Sequence, residues 1–241
     1  MRADPPITEA YKYAIQFLAM DLEQHGRDPE RCVVNPPSAL LGHNDKLLAF
    51  AVPDLVPETI ISSRVSDICD FGKSYGMVVL KPLHNHQGGG VQLIDFAASQ
   101  GIADRIREMT KRECIPIVAQ RFLRKYRETE KRVWFLDGAV LAVCVKEFQE
   151  NGFPPQLKDI SYVSHATLNG SEEISCRRLG HALRNLGIRT AGVDFIDGYL
   201  TDVNVVSPGL IVELERLYSI NLSSAIIGAM ERGNIPAQTS D

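Results

Sequence analysis

Two aspartates and an asparagine, Asp194, Asp202 and Asn204, stand where their oxygens can converge on one ion. They lie in the run Val193-Asp194-Phe195-Ile196-Asp197-Gly198-Tyr199-Leu200-Thr201-Asp202-Val203-Asn204-Val205. Asp-Gly between two apolar, β-branched stretches predicts a hairpin turn. Two geometries are open. A two-residue Asp197-Gly198 loop sets Asp194 on the face opposite Asp202 and Asn204. A three-residue loop over 196–198, with Gly198 as the left-handed bulge residue, shifts the register by one. Val193, Phe195, Tyr199, Thr201, Val203 and Val205 then line one face, and Asp194, Leu200, Asp202 and Asn204 the other. This register separates polar from apolar more cleanly and is the preferred one. Two carboxylates that close together need a cation between them. An all-oxygen donor set suits a hard ion, and Mg²⁺ shared with phosphates is the usual case. The plainer alternative is an ordinary hairpin with a solvated acidic face.

Cations and glycines elsewhere suit phosphate chemistry. Lys81 ends the apolar run Val78-Val79-Leu80-Lys81-Pro82, and Lys46 sits on a preceding helical segment. Lysines are point charges suited to phosphate oxygens, although a solvated surface lysine is the plain reading of Lys46 alone. Gly88, Gly89 and Gly90 lie between two strand-like runs, where backbone N–H groups can close over phosphates or simply form a hairpin tip. His84 and His86 lack a third ligand nearby and read as polar loop residues. Arg132 opens a strand and suits bidentate recognition of phosphate or carboxylate, or else a surface ion pair with Glu130 or Glu128. Ser207-Pro208-Gly209 reads as a helix start just beyond Asn204, which favours a substrate anion at Ser207 and Gly209.

The surrounding pattern supplies elements to hold these groups. Tyr11, Ile15, Leu18 and Leu22 at helical spacing, with Gly26 as stop, predict a helix over 8–25. The elbow Asn35-Pro36-Pro37-Ser38 leads into a second helix containing Lys46, Leu47, Leu48 and Phe50. Short β-runs follow at Thr59–Ser62, 77–80, 91–94 and 117–119, interrupted by one helix at Ile102–Met109. A hairpin over 132–145 turns at Asp137-Gly138, then a helix with Ser171 as N-cap and Gly187 as stop precedes the acidic hairpin. This divides into a helical segment over 1–44, a small lobe over 45–118 and a larger lobe over 119–241. At 241 residues, 44% hydrophobic content and net charge −4 with scattered signs, a real core is expected and a nucleic-acid or membrane partner is not. Five cysteines without a CxxC predict free thiols in a reducing cytoplasm, and neither a signal peptide nor a membrane span is read.

Taken in order, these stretches resemble the ATP-grasp fold, specifically bacterial glutathione synthetase. The matching segments are Asp4-Pro5-Pro6, Asn44-Asp45-Lys46-Leu47, Pro57-Glu58-Thr59, Val79-Leu80-Lys81-Pro82-Leu83, Ala119-Gln120-Arg121-Phe122-Leu123, Lys131-Arg132-Val133 with Asp137-Gly138, and 192–208. The resemblance implies an α+β fold of two lobes holding a nucleotide between antiparallel sheets. It also implies ATP-dependent ligation of γ-glutamylcysteine to glycine through an acyl-phosphate. On that basis Lys46 and Lys81 hold ATP phosphates under Gly88–Gly90, while Gln120 and the backbone through Leu123 border the adenine. Arg132 faces the transferred phosphoryl group, and Asp194, Asp202 and Asn204 carry Mg²⁺, for which Mn²⁺ can substitute. The partners expected are small-molecule substrates, with assembly into a homo-oligomer left open. Three departures stand out. Family members carry a further domain ahead of Asp-Pro-Pro, Asp202 stands where they have Glu, and their peptide-binding Arg-Gly-Asn loop is not recognisable in 161–170. A ligase for another amino acid or peptide, or an ATP-binding partner without ligase activity, therefore stays open.

Overall fold

The computed structural model of the chain describes residues 9–83, 89–148 and 160–231. Asp4-Pro5-Pro6, His84, His86 and Gly88 lie outside the described residues. Helix α1 (Glu9–Gln24) buries Ile15 and Leu22, as its apolar spacing predicts. Two short helical turns follow, α2 (Pro29–Cys32), capped by the Asp28 carboxylate, and α3 (Pro37–Gly42). The helix expected to contain Lys46 is not continuous. α3 ends at Gly42, and a 3-10 turn forms only at Leu48–Ala51, which puts Lys46 in the connecting turn. Asn44 explains the break: its Nδ2 donates to Leu83 O at 2.8 Å and its Oδ1 accepts the Lys46 N–H at 3.0 Å. Local bonds of this kind compete with helix formation.

The first sheet comprises β1 (Thr59–Ser62), then helix α4 (Val65–Tyr75), β2 (Met77–Pro82), β3 (Gln92–Asp95), helix α5 (Ile102–Met109) and β4 (Ile117–Arg121). Its order is β1-β4-β2-β3, antiparallel throughout. Helix α4 is absent from the sequence expectation, because Gly72 and two serines blur its pattern. A Cβ on Gly72 would lie 2.0 Å from the Phe96 ring, so the glycine is a packing site. Strand alternation sends Val78 and Leu80, with Ile117 and Ala119, into a core shared with Ile68 and Ile106. Lys81 and Gln120 occupy the opposite face.

The second sheet follows α6 (Tyr126–Thr129) and comprises β5 (Lys131–Leu136), β6 (Ala139–Phe148), β7 (Ile160–His165), helix α7 (Gly170–Asn185), β8 (Thr190–Ile196) and β9 (Tyr199–Asn204). Helices α8 (Ile211–Tyr218) and α9 (Leu222–Glu231) end the described chain. The sheet order is β7-β6-β5-β8-β9. All of β4 belongs to the first sheet, so the sheets part between Arg121 and Lys131 rather than at residue 118. One face, with Val133, Phe135, Val193, Phe195, Leu200 and Val203, packs with α1 and α7 into the largest core. Each phenylalanine hidden there contributes on the order of 2–3 kcal/mol. On the other face, Trp134, Ala142 and Cys144 are covered by α8 and α9. Arg132, Lys146, Asp194 and Asp202 lie on the same face.

Two helix starts differ from expectation. Asn169, not Ser171, caps α7: its Oδ1 accepts the Glu172 N–H and the Glu172 carboxylate accepts the Asn169 N–H, a reciprocal capping box. Helix α8 begins at Ile211 after Leu210 in the left-handed region, so Ser207-Pro208-Gly209 is loop rather than helix start. Asn35, only 1% exposed, closes the ends of β8 and β9. Its Nδ2 donates to Thr190 O (2.8 Å) and Val205 O (2.9 Å), and its Oδ1 accepts the N–H groups of Arg189 and Thr190, both at 2.8 Å. No helix among the described residues is long and apolar enough to cross a membrane. The five cysteines are free, and burial raises the Cys144 and Cys176 thiols to about 11 and about 12.

Candidate active site

The hairpin turn has two residues, not three. Ile196 pairs with Tyr199, and Asp197 and Gly198 both take positive φ, at 50° and 80°. The register shift expected of the turn occurs inside β9, where Thr201 is the extra residue between the pairs Phe195–Leu200 and Asp194–Asp202. Leu200 therefore joins the apolar core instead of the acidic face. The bulge restores what a plain two-residue hairpin would lose, and Asp194 and Asp202 stand directly opposite one another.

Around Asp194 lies a buried ionic network. Arg132 grips it in a fork, Nε to Oδ1 at 2.7 Å and Nη2 to Oδ2 at 2.8 Å, and is itself 4% exposed. Lys146 reaches the same Oδ1 at 2.7 Å and Glu130 Oε1 at 2.6 Å. Burial pushes the Asp194 carboxyl up, but Arg132 and Lys146 outweigh it and hold it at about 2. Burial likewise raises Glu130, with Lys146 opposing. Sequence reasoning missed Lys146 and Glu130; its one hint was Glu130 as an alternative partner for Arg132. Lys146 follows the apolar run 139–145 and is followed by Glu147, which in sequence reads as a chain leaving the sheet, and nothing local says that its side chain turns inward.

Asp202 is different. Its Oδ1 is buried without a hydrogen-bond partner, an orphaned acceptor of the kind that native proteins rarely leave. Asn204 Nδ2 donates to Gly192 O at 3.1 Å, so its Oδ1 is the atom it can offer. The expected metal triad thus divides into Asp194, whose two oxygens already receive three charged donors, and the pair Asp202 and Asn204. No group of three His, Cys, Asp or Glu that could cage a metal occurs among the described residues. An orphaned carboxylate oxygen beside an amide oxygen fits Mg²⁺, which keeps most of its coordination for water and phosphate.

Lys81 comes to the same place from the first sheet. Its Nζ donates to Gln120 Oε1 at 2.8 Å and, across the lobes, to the bulge carbonyl Thr201 O at 3.1 Å. Burial depresses its pKa, with the Asp202 carboxylate opposing. Gln120 passes the chain of bonds to Thr59 Oγ1 at 3.0 Å, so its side chain orients Lys81, and Leu123 is buried just beyond the strand. Lys46 lies close enough to Lys81 to depress it further. Gly89 and Gly90 form the described part of the glycine loop. Gly209 O accepts from Trp134 Nε1 at 2.8 Å, and Ser207 is in the same loop. Neither has the helix end that motivated an anion site. Gly192 matters sterically: a Cβ there would lie 2.9 Å from Pro208 Cβ and 3.0 Å from Arg132 Nη1.

Asp45 stands beside Lys46, whose phosphate chemistry masks it in the sequence. It is buried, its O accepts the Val203 N–H (3.3 Å) and its Oδ1 the Val205 N–H (3.2 Å). Burial first, then the neighbouring Asp202 charge, raise it to about 7. Raised in the folded state, its carboxyl binds more protons there than when unfolded, so stability falls as pH rises from about 4 to about 7. Asp45→Asn keeps the acceptor and removes the ionisation. Denaturant titrations should show variant and wild type alike near pH 4 and the variant ahead by up to about 4 kcal/mol at pH 8. A constant difference across that range counts against the ionisation.

The family described as prokaryotic glutathione synthetase, ATP-grasp domain, matches residues 45–219. Glutathione synthetase of Prochlorococcus marinus (strain MIT 9313) is 34% identical over 230 residues, 95% of this chain and 73% of that protein. Among solved structures, D-cycloserine synthetase DcsG superposes with a TM-score of 0.67 at 16% identity, over 92% of this chain and 80% of that one. The ATP-grasp ligase PsnB, complexed with a phosphomimetic precursor variant, Mg and ADP, gives 0.63 at 15% identity, over 92% and 69%. At such identity the likeness concerns the fold, and it is the two-lobed α+β fold expected from the sequence.

Proposed function

We propose that this chain, which belongs to the prokaryotic glutathione synthetase family of ATP-grasp proteins, is a Mg²⁺- and ATP-dependent ligase that joins γ-glutamylcysteine to glycine. One observation carries the reading: the buried, unpartnered Asp202 oxygen faces Asp194 within a nest formed by Lys81, Arg132 and Lys146. Phosphoryl transfer asks a protein for in-line positioning and neutralised oxygens more than for a nucleophile. Lys81 and Lys46 hold phosphate oxygens, and the backbone N–H groups of Gly89 and Gly90 supply further donors to them. Gln120 fixes the Lys81 ammonium, and the backbone through Leu123 borders the base. Arg132 meets the charge that develops on the transferred group. Asp202 and Asn204 would hold Mg²⁺, which when bound neutralises phosphate oxygens. Asp194 keeps Arg132 aimed.

The same catalysis on another acid and amine is the second reading. It is supported by strand β7, which fills residues 160–165 where the family's peptide-binding loop was sought. ADP release separates the readings. Mg²⁺-dependent release stimulated by γ-glutamylcysteine plus glycine supports the first, and stimulation only by another pair supports the second. Nucleotide binding without turnover by any pair leaves an ATP-binding partner and sinks both. Within the ligase reading, Lys81→Ala is expected to raise the apparent KM for ATP about tenfold or more, since a charged hydrogen bond is lost. Asp202→Asn should demand more Mg²⁺ for half-maximal rate. Unchanged ATP and Mg²⁺ dependence would remove those two residues from the site.

A further inference from the structure

We propose that Lys146 is a built-in counter-ion that saturates Asp194, so that the site takes a single metal ion at Asp202 and Asn204 and none at Asp194. The inference rests on the nucleotide-binding reading above and sharpens its metal chemistry. Lys146 has a side chain only 5% exposed, and its Nζ lies 2.6 Å from Glu130 Oε1 and 2.7 Å from Asp194 Oδ1. Its backbone N–H also donates to Glu130 O at 2.9 Å, which fixes the start of the side chain relative to its partner. Arg132 completes the set through its fork on both Asp194 oxygens. Glu130, Lys146, Asp194 and Arg132 therefore form a closed quartet of two anions and two cations whose formal charges cancel. Every short bond in it is charge-assisted.

A divalent ion at Asp194 would have to displace an ammonium already at bonding distance, or sit beside it in a poorly solvated place, where like charges repel strongly. Across the ladder the situation is reversed. Asp202 faces Asp194 in register, yet its Oδ1 is buried with no donor. The two aspartates share a face, but Asp194 holds Arg132 and Lys146 at bonding distance while the Asp202 Oδ1 has no donor. An ammonium on a tether does for Asp194 what an ion does for a lone carboxylate, and it stays when products leave.

Mn²⁺ binding followed by electron paramagnetic resonance, with thermal melting in parallel, tests this. With a non-hydrolysable ATP analogue the wild type should bind one Mn²⁺. Lys146→Met, which keeps the aliphatic stem, should gain Mn²⁺ affinity without nucleotide by about tenfold or more over wild type. Its melting temperature should rise by several degrees on adding Mn²⁺. No gain in either measurement overturns the proposal. If Lys146→Met does not fold, Asp194→Asn decides: Mn²⁺ affinity with the analogue within about threefold of wild type supports the proposal, and a loss of about tenfold or more overturns it. A wild type that binds the analogue with two Mn²⁺ ions overturns the single-ion inference alone. A wild type that binds neither analogue nor Mn²⁺ overturns the functional reading, and this inference with it.

Discussion

Arg132→Ala is expected to lower ligase turnover by about a hundred- to a thousandfold and to destabilise the fold by about 3–5 kcal/mol. Both effects follow from the same fork. The guanidinium is 4% exposed and meets both Asp194 oxygens, at 2.7 and 2.8 Å, and Asp194 holds it cationic. Truncation leaves Asp194 and Glu130 to share Lys146, so one buried anion is uncompensated. It also opens space beside Gly192, whose α-carbon is bare because the arginine stem lies there. Arg132→Lys separates charge from shape: it should recover much of the stability but little of the turnover, since an ammonium cannot span two carboxylate oxygens in a plane. Urea titrations together with ADP release check both parts. Wild-type stability in Arg132→Ala would mean that the network is not closed, and full turnover would take Arg132 out of the chemistry.

Asn35→Asp should cost about 4 kcal/mol at pH 7 although it changes only one atom type. The native Nδ2 gives one hydrogen bond each to Thr190 O and Val205 O. The Oδ1 receives two backbone N–H groups, from Arg189 and Thr190. An introduced carboxylate keeps the accepting side but turns the donating side into an anion facing two carbonyl oxygens. Each carbonyl so abandoned costs about 1–3 kcal/mol, and the buried charge adds to it. Protonation returns one donor, so the folded-state pKa of the introduced group is raised and the deficit is full above that pKa. It should shrink to about 2 kcal/mol near pH 4. Denaturant melts at the two pH values measure it. A small, pH-independent deficit would show that water or backbone movement replaces the lost donors.

What could be read from the sequence depended on whether the signal was local. The acidic hairpin announced itself through Asp-Gly and alternation, and the polar face it needed exists. Its turn is harder to read, because two residues and a later bulge put Asp194 and Asp202 on one face, as three residues without a bulge would, and only the bulge sets them directly opposite. Tyr199 and Leu200 tell the solutions apart, since the two exchange faces, and the entry of Leu200 into the core is a tertiary outcome. Lys146 and Glu130 were illegible as a pair, since sixteen residues and a strand reversal separate them and each looks like a solvated charge. Asp45 was hidden for the opposite reason, standing beside a lysine that drew the chemical reading. The family resemblance carried the two-lobed fold, yet it pointed to no residue outside its own motifs.

Strand β9 is the last in its sheet, and such a strand normally presents a row of unpaired groups that recruits another chain. Here that row is occupied by residues far away in sequence. Thr201 O receives the Lys81 ammonium, the Val203 and Val205 N–H groups go to Asp45, and Val205 O receives Asn35. An extended peptide or a second copy of the sheet finds no template from Thr201 to Val205. The contacts that seat the acidic strand thus also cover the backbone groups through which another strand would add along that side.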